Sequence, residues 1–208
     1  QSWGVIEPDT EVQSYDATVG VKGNFGGSWN WDAHVERGRT QWRENYWDDI
    51  SMARLYRALD SVVDPATGAI VCRVTLTNPS ASNNQCVPLN PFGAGSASPA
   101  ALNYIHGTML QVNVVAQNSA AANISGEPFS LWAGPVSVGT GIEWRRLEGS
   151  QTSDETAQNP IDFTGVRGYY SGLATQVGGW ATSNILPYSG SINVTEGYVE
   201  TLVPLLKA

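Results

Sequence analysis

The charged residues best spaced to act together lie two apart along predicted strands. Glu143 and Arg145 alternate in this way, and so do Asp32, His34 and Glu36. Side chains two apart lie on one face of a β-strand. The first pair could contact a ligand, and it fits a solvated salt bridge equally well. The second set could hold a metal ion, but a row of polar side chains is the simpler interpretation. Neither set amounts to a catalytic constellation.

Three aromatic residues follow the predicted end of the second strand. Trp42, Tyr46 and Trp47 could stack on a ligand such as a sugar. A place in the core of the following loop fits them as well. His106 lies at the end of that loop, and no partner for it is evident from the sequence. The residues that contact a ligand therefore stay unknown, with these three aromatics as loop candidates.

The two cysteines point to an oxidising compartment. Cys72 and Cys86 flank a polar segment, and the two histidines of the chain, His34 and His106, are remote in sequence. A metal site normally needs further Cys or His nearby, so we expect neither a metal ion nor another cofactor. A disulfide is the simpler interpretation, and two unrelated free thiols are the alternative. A disulfide indicates the periplasm, the cell surface or secretion.

Composition favours β-structure and argues against nucleic-acid binding. Charged residues make up 14% of the 208 residues, whereas glycine (22), tryptophan (8) and tyrosine (8) are abundant. Such a mixture is typical of strands joined by turns. The formal net charge of −8 argues against a nucleic-acid partner, because that partner needs a basic patch and the sequence shows no run of basic residues. No apolar run is long enough for a membrane-spanning helix.

Alternation of apolar and polar residues predicts about five strands. The first two, at 11–25 and 28–41, form a hairpin around Gly26-Gly27. The others are predicted at 107–125, 135–147 and 190–203. Long connections remain at 42–106 and 148–189.

The first long connection carries structure of its own. Helical spacing of apolar residues predicts a helix over 48–63, with Asp48 and Asp49 capping its start. A second short helix is predicted at 98–105, with Ser98 as its N-cap. We therefore expect an ordered loop with short helices.

Loop lengths and strand faces favour an outer-membrane barrel. The connections run short, long, short, long, so in an up-and-down sheet all the long loops share one end. Barrels of the outer membrane have this asymmetry, with a lipid-facing apolar face and a wet lumen. Tryptophans near the strand ends suit an aromatic girdle; they are Trp29, Trp31, Trp132 and Trp144. A soluble β-sandwich also has alternating strands and stays open as an alternative.

Several segments together resemble one family. The stretch "VDPATGAIVCRVTLTNPSASNNQCVPLNPFGAGSASPAALNYI" (63–105) resembles an extracellular loop of TonB-dependent outer-membrane receptors. "GEPFSLWAGPVSVGTGIEWRR" (126–146) resembles the turn and strand that follow it. The last strand, with its E-x-Y-x-E motif (190–206), and the hairpin 19–40 fit the same proteins. The cysteine-flanked loop and "GEPFSLWAGPVSV" are the specific parts of a resemblance that covers essentially the whole chain, 1–208.

The resemblance implies a transporter component and not an enzyme. In the family, a bacterial outer-membrane barrel encloses a plug domain, and the TonB complex of the inner membrane pulls on that plug. The implied function is energised uptake of a scarce nutrient, such as a siderophore, a vitamin or an oligosaccharide, with the long extracellular loops selecting it. Five strands cannot close a lipid-facing barrel. We therefore expect a fragment, a partial antiparallel up-and-down transmembrane β-barrel without plug, embedded in outer-membrane lipid.

Two other functions fit the composition less well. A secreted β-sandwich that binds carbohydrate through exposed aromatic residues is the nearest alternative. A secreted hydrolase would need two carboxyl groups about 5–9 Å apart across a cleft. The acidic residues are scattered through strands and loops, so the hydrolase ranks last.

Overall fold

A computed structural model describes residues 3–182 and 184–206, which form a predominantly antiparallel β-protein. The seven strands of this described part are β1 (Glu7–Asn24), β2 (Asn30–Ile50), β3 (Ser61–Val63), β4 (Ile70–Cys72), β5 (His106–Leu131), β6 (Gly134–Ser153) and β7 (Tyr188–Leu202). The long strands form one five-stranded sheet in the order β1-β2-β5-β6-β7, and β3 pairs with β4. The predicted all-β fold with five long strands is therefore confirmed.

Short helices lie in the long connections. The α-helices are α1 (Met52–Leu59), α2 (Arg73–Thr77), α3 (Pro99–Ile105) and α4 (Glu155–Gln158), and single 3₁₀ turns occupy Asn83–Gln85 and Ser171–Thr175. Among the described residues, no helix is long and apolar enough to cross a membrane.

The β1–β2 hairpin turns where the sequence predicts. Gly26 and Gly27 adopt φ angles of 71° and 60°, a left-handed conformation that glycine reaches without the clash of a Cβ. The backbone N–H of Phe25 donates to the carbonyl of Trp29 at 3.3 Å and closes the turn. The left-handed conformation of the two glycines lets the chain reverse direction between β1 and β2.

All five long strands extend beyond a predicted limit. β1 begins at Glu7 and β7 at Tyr188. The larger extensions are those of β2, which continues to Ile50, of β5, which spans His106–Leu131, and of β6, which continues to Ser153. The connection predicted to begin at residue 42 therefore begins at residue 51. The reason is that polar residues occupy both faces of β2 after residue 40, beside the aromatic ones, so the apolar–polar alternation that marks a strand disappears while the backbone pairing continues.

The first helix is shorter than predicted, and its predicted caps have other roles. The prediction of 48–63 with Asp48 and Asp49 as caps is wrong, since α1 begins at Met52 and ends at Leu59. Asp49 is fully buried in the strand; one carboxylate oxygen accepts from the backbone N–H of Ile50 at 2.7 Å, and the other from the hydroxyl of Thr182. A carboxylate so occupied is not available to a helix start.

The second predicted helix is confirmed as α3. The Oγ atom of Ser98 accepts a hydrogen bond from the backbone N–H of Ala101 at 3.2 Å, and Pro99 opens the first turn. The serine satisfies one of the unpaired N–H groups of the helix start, and the proline has none to satisfy.

The chain divides into two compact units. One, named the loop unit, comprises the described residues of 1–11, 43–112 and 151–187; the other, the strand unit, comprises those of 12–42, 113–150 and 188–208. The loop unit holds three apolar clusters. They consist of Ala58, Leu89, Ala97, Ala101 and Ile105; of Cys72, Val74, Ile161, Phe163 and Val166; and of Met109, Ala157 and Trp180. The connections thus have cores of their own.

The strand unit, in contrast, leaves large apolar side chains uncovered. Val19, Val35 and Ile142 are 69%, 56% and 57% exposed. The outermost strands β1 and β7 are exposed along nearly their whole length. Exposed apolar surface of this extent usually marks an interaction site.

Candidate functional site

One face of the strand unit carries a hydrogen-bonded chain of polar side chains, named the polar face. The amide Nδ2 of Asn123 on β5 donates to Oδ2 of Asp32 on β2 at 2.9 Å. The hydroxyl of Tyr198 on β7 donates to Oδ1 of the same Asn123 at 3.2 Å. These two bonds link β2, β5 and β7 and fix which alternate residues share this face.

A glycine on the intervening strand makes that link possible. Gly141 on β6 lies beneath the Tyr198–Asn123 bond, and a Cβ atom at this position would be 2.5 Å from Cε1 of the tyrosine ring. Gly139 has the same relation to Glu200 of β7, with 2.9 Å to the carboxylate oxygen. Small residues on this face of β6 thus leave room for side chains that reach over the strand.

The charged pair identified in the sequence joins the same face. Arg145 contacts Oε1 of Glu143 at 3.1 Å and Oε2 of Glu196 on β7 at 3.5 Å. Glu196, Tyr198 and Glu200, the acidic and aromatic residues of the E-x-Y-x-E motif, alternate onto this face together. All these charged groups keep substantial contact with solvent, so each pair contributes little stability of its own.

His34 lies on the polar face as well, next to Asp32. Its Nδ1 atom is 4.0 Å from Oδ2 of the aspartate. Within residues 3–182 and 184–206, no three His, Cys, Asp or Glu side chains are grouped to hold a metal ion. The geometry is that of a polar row along β2.

A cavity of about 670 Å³ opens on the polar face toward the short β1–β2 turn. Its polar lining comes from Lys22, Asn24, Asn30, Asp32, Asn123 and Glu200. These groups can donate to and accept from hydroxyl or amide groups, and the carboxylate of Asp32 already accepts from the amide of Asn123. The arrangement is suited to polar contact with a molecule that carries such groups.

The opposite side of the strand unit is an apolar groove of about 550 Å³. Its lining side chains on this side are Val19, Val21, Ala33, Val35, Ala120, Ala122, Ile142 and Trp144. Alanines of β2 and β5 form the floor, with larger side chains from β1 and β6 on either side. We name this surface the apolar groove.

The aromatic residues of the strand unit concentrate at its short turns. Phe25 stacks on Trp29 with 6.3 Å between the ring centroids, and Trp132 is 73% exposed in the β5–β6 turn. Trp31 lies one residue into β2. Trp144 was expected near a strand end but lies ten residues into β6, because that strand continues to Ser153.

The structure separates the three aromatic ligand candidates. Trp42, Tyr46 and Trp47 were expected in a loop but lie within β2. Trp42 and Tyr46 alternate onto one face and Trp47 onto the other. Tyr46 packs beside the Met109 cluster of the loop unit, and Trp47 is 47% exposed. The three rings therefore do not form one platform.

The predicted disulfide is confirmed. Cys72 and Cys86 are joined, with their Cα atoms 6.1 Å apart. Cys72 belongs to the cluster around Val74, and Cys86 packs against both that cluster and the one around Ile105. The bond therefore connects two of the cores of the loop unit.

Two aspartates that the sequence did not single out organise the loop unit. Asp154 accepts hydrogen bonds from Nε1 of Trp180 at 2.9 Å, from the N–H of Leu110 at 3.0 Å and from the N–H of Ala157 at 3.1 Å. Its position before α4 was the one available signal, that of an N-cap. Asp60 accepts from Nε of Arg73 at 2.9 Å, a pairing without local sequence signal.

Titratable groups of the loop unit respond to burial and hydrogen bonding. Burial raises the pKa of Tyr104, against the opposing charges of Arg57 and Arg54. Hydrogen bonds from the hydroxyl and backbone N–H of Thr164 lower the pKa of Asp162. The ring of His106 packs against Gly4, and its Nε2 atom is buried without a hydrogen-bond partner among the described residues.

Comparison of the chain with protein families, with curated proteins and with solved structures finds no match.

Proposed function

We propose that this chain forms part of the barrel wall of a TonB-dependent outer-membrane receptor, which takes up a scarce nutrient. The observation that carries the proposal is the strand unit, in which β1, β2, β5 and β6 are polar on one face and apolar on the other. A soluble sheet covers its apolar face with a second layer. In a barrel wall, lipid covers the apolar groove and the lumen receives the polar face.

The order of the strands supports the proposal. The five long strands lie side by side in the sheet in the same order in which they occur along the chain, β1-β2-β5-β6-β7. Their connections alternate between tight turns, after β1 and β5, and long segments, after β2 and β6. In an up-and-down antiparallel sheet the long connections share one end, as extracellular loops do in outer-membrane barrels.

The height of the apolar surface also fits. The apolar row on β6 runs from Val136 to Trp144, which is about 26 Å along the strand at roughly 3.3 Å per residue. A tilt of about 40° reduces this to about 20 Å across a membrane, near the apolar band of roughly 25 Å in such barrels. Aromatic residues of the short turns, such as Trp29 and Trp132, would mark the interface at one end.

The two edge strands of the sheet have unpaired backbone groups that further strands could pair with. β1 and β7 have 18 and 15 residues and one neighbour each within the described sheet. Such long open edges promote uncontrolled pairing with other chains, and in lipid their unpaired backbone groups cost several kcal/mol each. Further strands of the same barrel would pair with both edges.

Within this proposal the two units have distinct tasks. The disulfide-linked loop unit takes part in selecting the nutrient, whether siderophore, vitamin or oligosaccharide. The polar face contacts the plug domain or the passing nutrient, and the TonB complex acts through that plug. The polar groups described above bind and position, so the chain is a transporter component and not an enzyme.

An antibody raised against the segment 64–104 tests the proposal in fractionated source cells. The expected result is a band several times larger than 22.3 kDa, found in the outer membrane and accessible to the antibody on intact cells. A soluble band near that mass would refute the receptor and favour a secreted β-sandwich module that binds carbohydrate.

A further inference from the structure

Above the apolar groove, the same outward side of the strand unit turns basic. This inference rests on the proposed function, which places that side against the membrane. On β2, Val35 of the groove is followed on the same face by Arg37 and Arg39. On β6, Trp144 is followed by Arg146. We name Arg37, Arg39 and Arg146 the arginine patch.

The arginine patch lines a cavity of about 490 Å³ in the strand unit. Between its two sides lie Val114 and Ala116 of β5, whose small side chains leave the space open. Since β5 separates β2 from β6, the two sides are about 10 Å apart at roughly 4.8 Å per strand.

The charge of the cavity contrasts with that of the chain. Three of the 11 basic residues line it together with one carboxylate, in a chain of net charge −8. Arg146 is paired with that carboxylate, Glu148, at 2.8 Å, and Arg39 donates to the neutral amide of Gln41 at 3.1 Å. None of the described acidic side chains forms an ion pair with Arg37. Two positive charges therefore remain for an anion.

The two surfaces adjoin on β2, from Val35 to Arg37, and on β6, from Trp144 to Arg146. On β5, Asn118 of the same face lies between them. Ala116 of the basic cavity and Ala120 of the apolar groove both lie on β5, four residues apart on one face. A molecule that fills both the basic cavity and the apolar groove must carry an anionic group joined to long apolar chains. A free anion uses only the cavity, and a neutral lipid only the groove.

We propose that the arginine patch and the apolar groove form a binding site for an anionic membrane lipid. Its phosphates lie between Arg37, Arg39 and Arg146, and its acyl chains lie along the alanine floor. Guanidinium groups suit phosphate because they donate two parallel hydrogen bonds. Trp144, at the boundary between the two surfaces, packs where headgroup and acyl chains meet.

Lipid binding to the protein purified from the outer membrane in mild detergent tests this site. Dimyristoyl phosphatidylglycerol is compared with dimyristoyl phosphatidylcholine by native mass spectrometry. We expect the anionic lipid to bind at least about tenfold more tightly, and Arg37→Gln to weaken it about fivefold. The triple substitution of Arg37, Arg39 and Arg146 by Gln should abolish the preference. Arg167→Gln, in an exposed part of the loop unit, removes the same charge as a single control and should leave binding unchanged.

Whether the protein is recovered from the outer membrane distinguishes failure of the receptor proposal from failure of the lipid site. If the protein is recovered there but binds both lipids equally, or if the triple variant keeps its preference, the lipid site is refuted while the receptor proposal stands. If the unsubstituted protein is absent from the outer membrane, the receptor proposal fails and the lipid site fails with it.

Discussion

The hydroxyl of Tyr198 on β7 donates to Oδ1 of Asn123 on β5 at 3.2 Å, across the strand that separates them. The bond exists because Gly141 of β6 has no side chain beneath it. It ties three strands of the sheet together on the polar face, where the small residues of β6 would otherwise leave a gap.

Replacing Gly141 by valine should break this link. The new side chain would collide with the tyrosine ring, and overpacking of this kind costs about 1–3 kcal/mol. Thermal unfolding of the protein in detergent measures the loss, and Tyr198→Phe, which deletes only the hydroxyl, should cost about 1 kcal/mol. Gly190→Ala is the matched control, because no atom lies within 4 Å of the added Cβ. Equal stability of Gly141→Val and the control would contradict this role.

Removing the disulfide should loosen the loop unit selectively. The double substitution of Cys72 and Cys86 by Ser frees a segment with a sequence separation of 14, and the expected loss is about 3 kcal/mol. Limited proteolysis should then cut between residues 73 and 97 at enzyme concentrations that leave the oxidised protein intact. Strand-unit segments such as 113–131 serve as the internal control, because their resistance should not change. Unchanged cleavage in the loop unit would show that its apolar clusters hold it without the bond.

Asp154→Ala should destabilise the loop unit by about 3 kcal/mol. The carboxylate accepts hydrogen bonds from Trp180, Leu110 and Ala157, and N–H groups left buried without a partner cost about 1–3 kcal/mol each. Asp154→Asn keeps one acceptor oxygen and should lose about half as much. Denaturant unfolding followed by proteolysis of the loop unit measures both variants. Equal stability of all three proteins would rule out Asp154 as an organising residue.

Stability of the loop unit should fall in acid partly through Asp162. Its hydrogen bonds with Thr164 lower the pKa of the folded carboxyl below 3.8. The ionised form is therefore favoured by folding, so the stabilisation is fully present above the unfolded pKa and is lost as pH falls through the folded one. Carboxyl NMR shifts should place the midpoint below 3.8, and Thr164→Ala should raise it. If Thr164→Ala leaves the titration midpoint of Asp162 unchanged, the hydrogen bonds from Thr164 are not what lowers its pKa.

The sequence predicts those features whose signals are local. Gly26-Gly27 specifies its turn, Ser98 caps α3, and alternation locates the five long strands, because each depends on neighbouring residues. The end of β2 was missed since polar residues on both faces hide the period of the strand. Asp49 resembled a helix cap, but its carboxylate accepts a hydrogen bond from Thr182, far along the chain. A partner so distant in sequence cannot be predicted from neighbouring residues.

The candidate site likewise combines features that the sequence predicts with features that depend on the fold. Alternation predicts that Glu143 and Arg145 share a polar face. The lack of further Cys or His nearby favours a disulfide between Cys72 and Cys86, which the structure contains. The link between Tyr198 and Asn123 depends on strand order, which the sequence does not state. Trp42 and Tyr46 were predicted to lie in a loop because polar residues on both faces interrupt the alternation at the end of β2.

The central claim is that lipid covers the apolar groove while water reaches the polar face, and labels on neighbouring residues test it most directly. Ile142→Cys and Glu143→Cys place a nitroxide on opposite faces of β6, and the native cysteines stay oxidised and unreactive. In outer membranes, electron paramagnetic resonance should show the label at 142 relaxed by oxygen dissolved in lipid, and that at 143 by a water-soluble nickel chelate. Access of the chelate to residue 142, or protection of both labels from either reagent, would contradict the barrel wall.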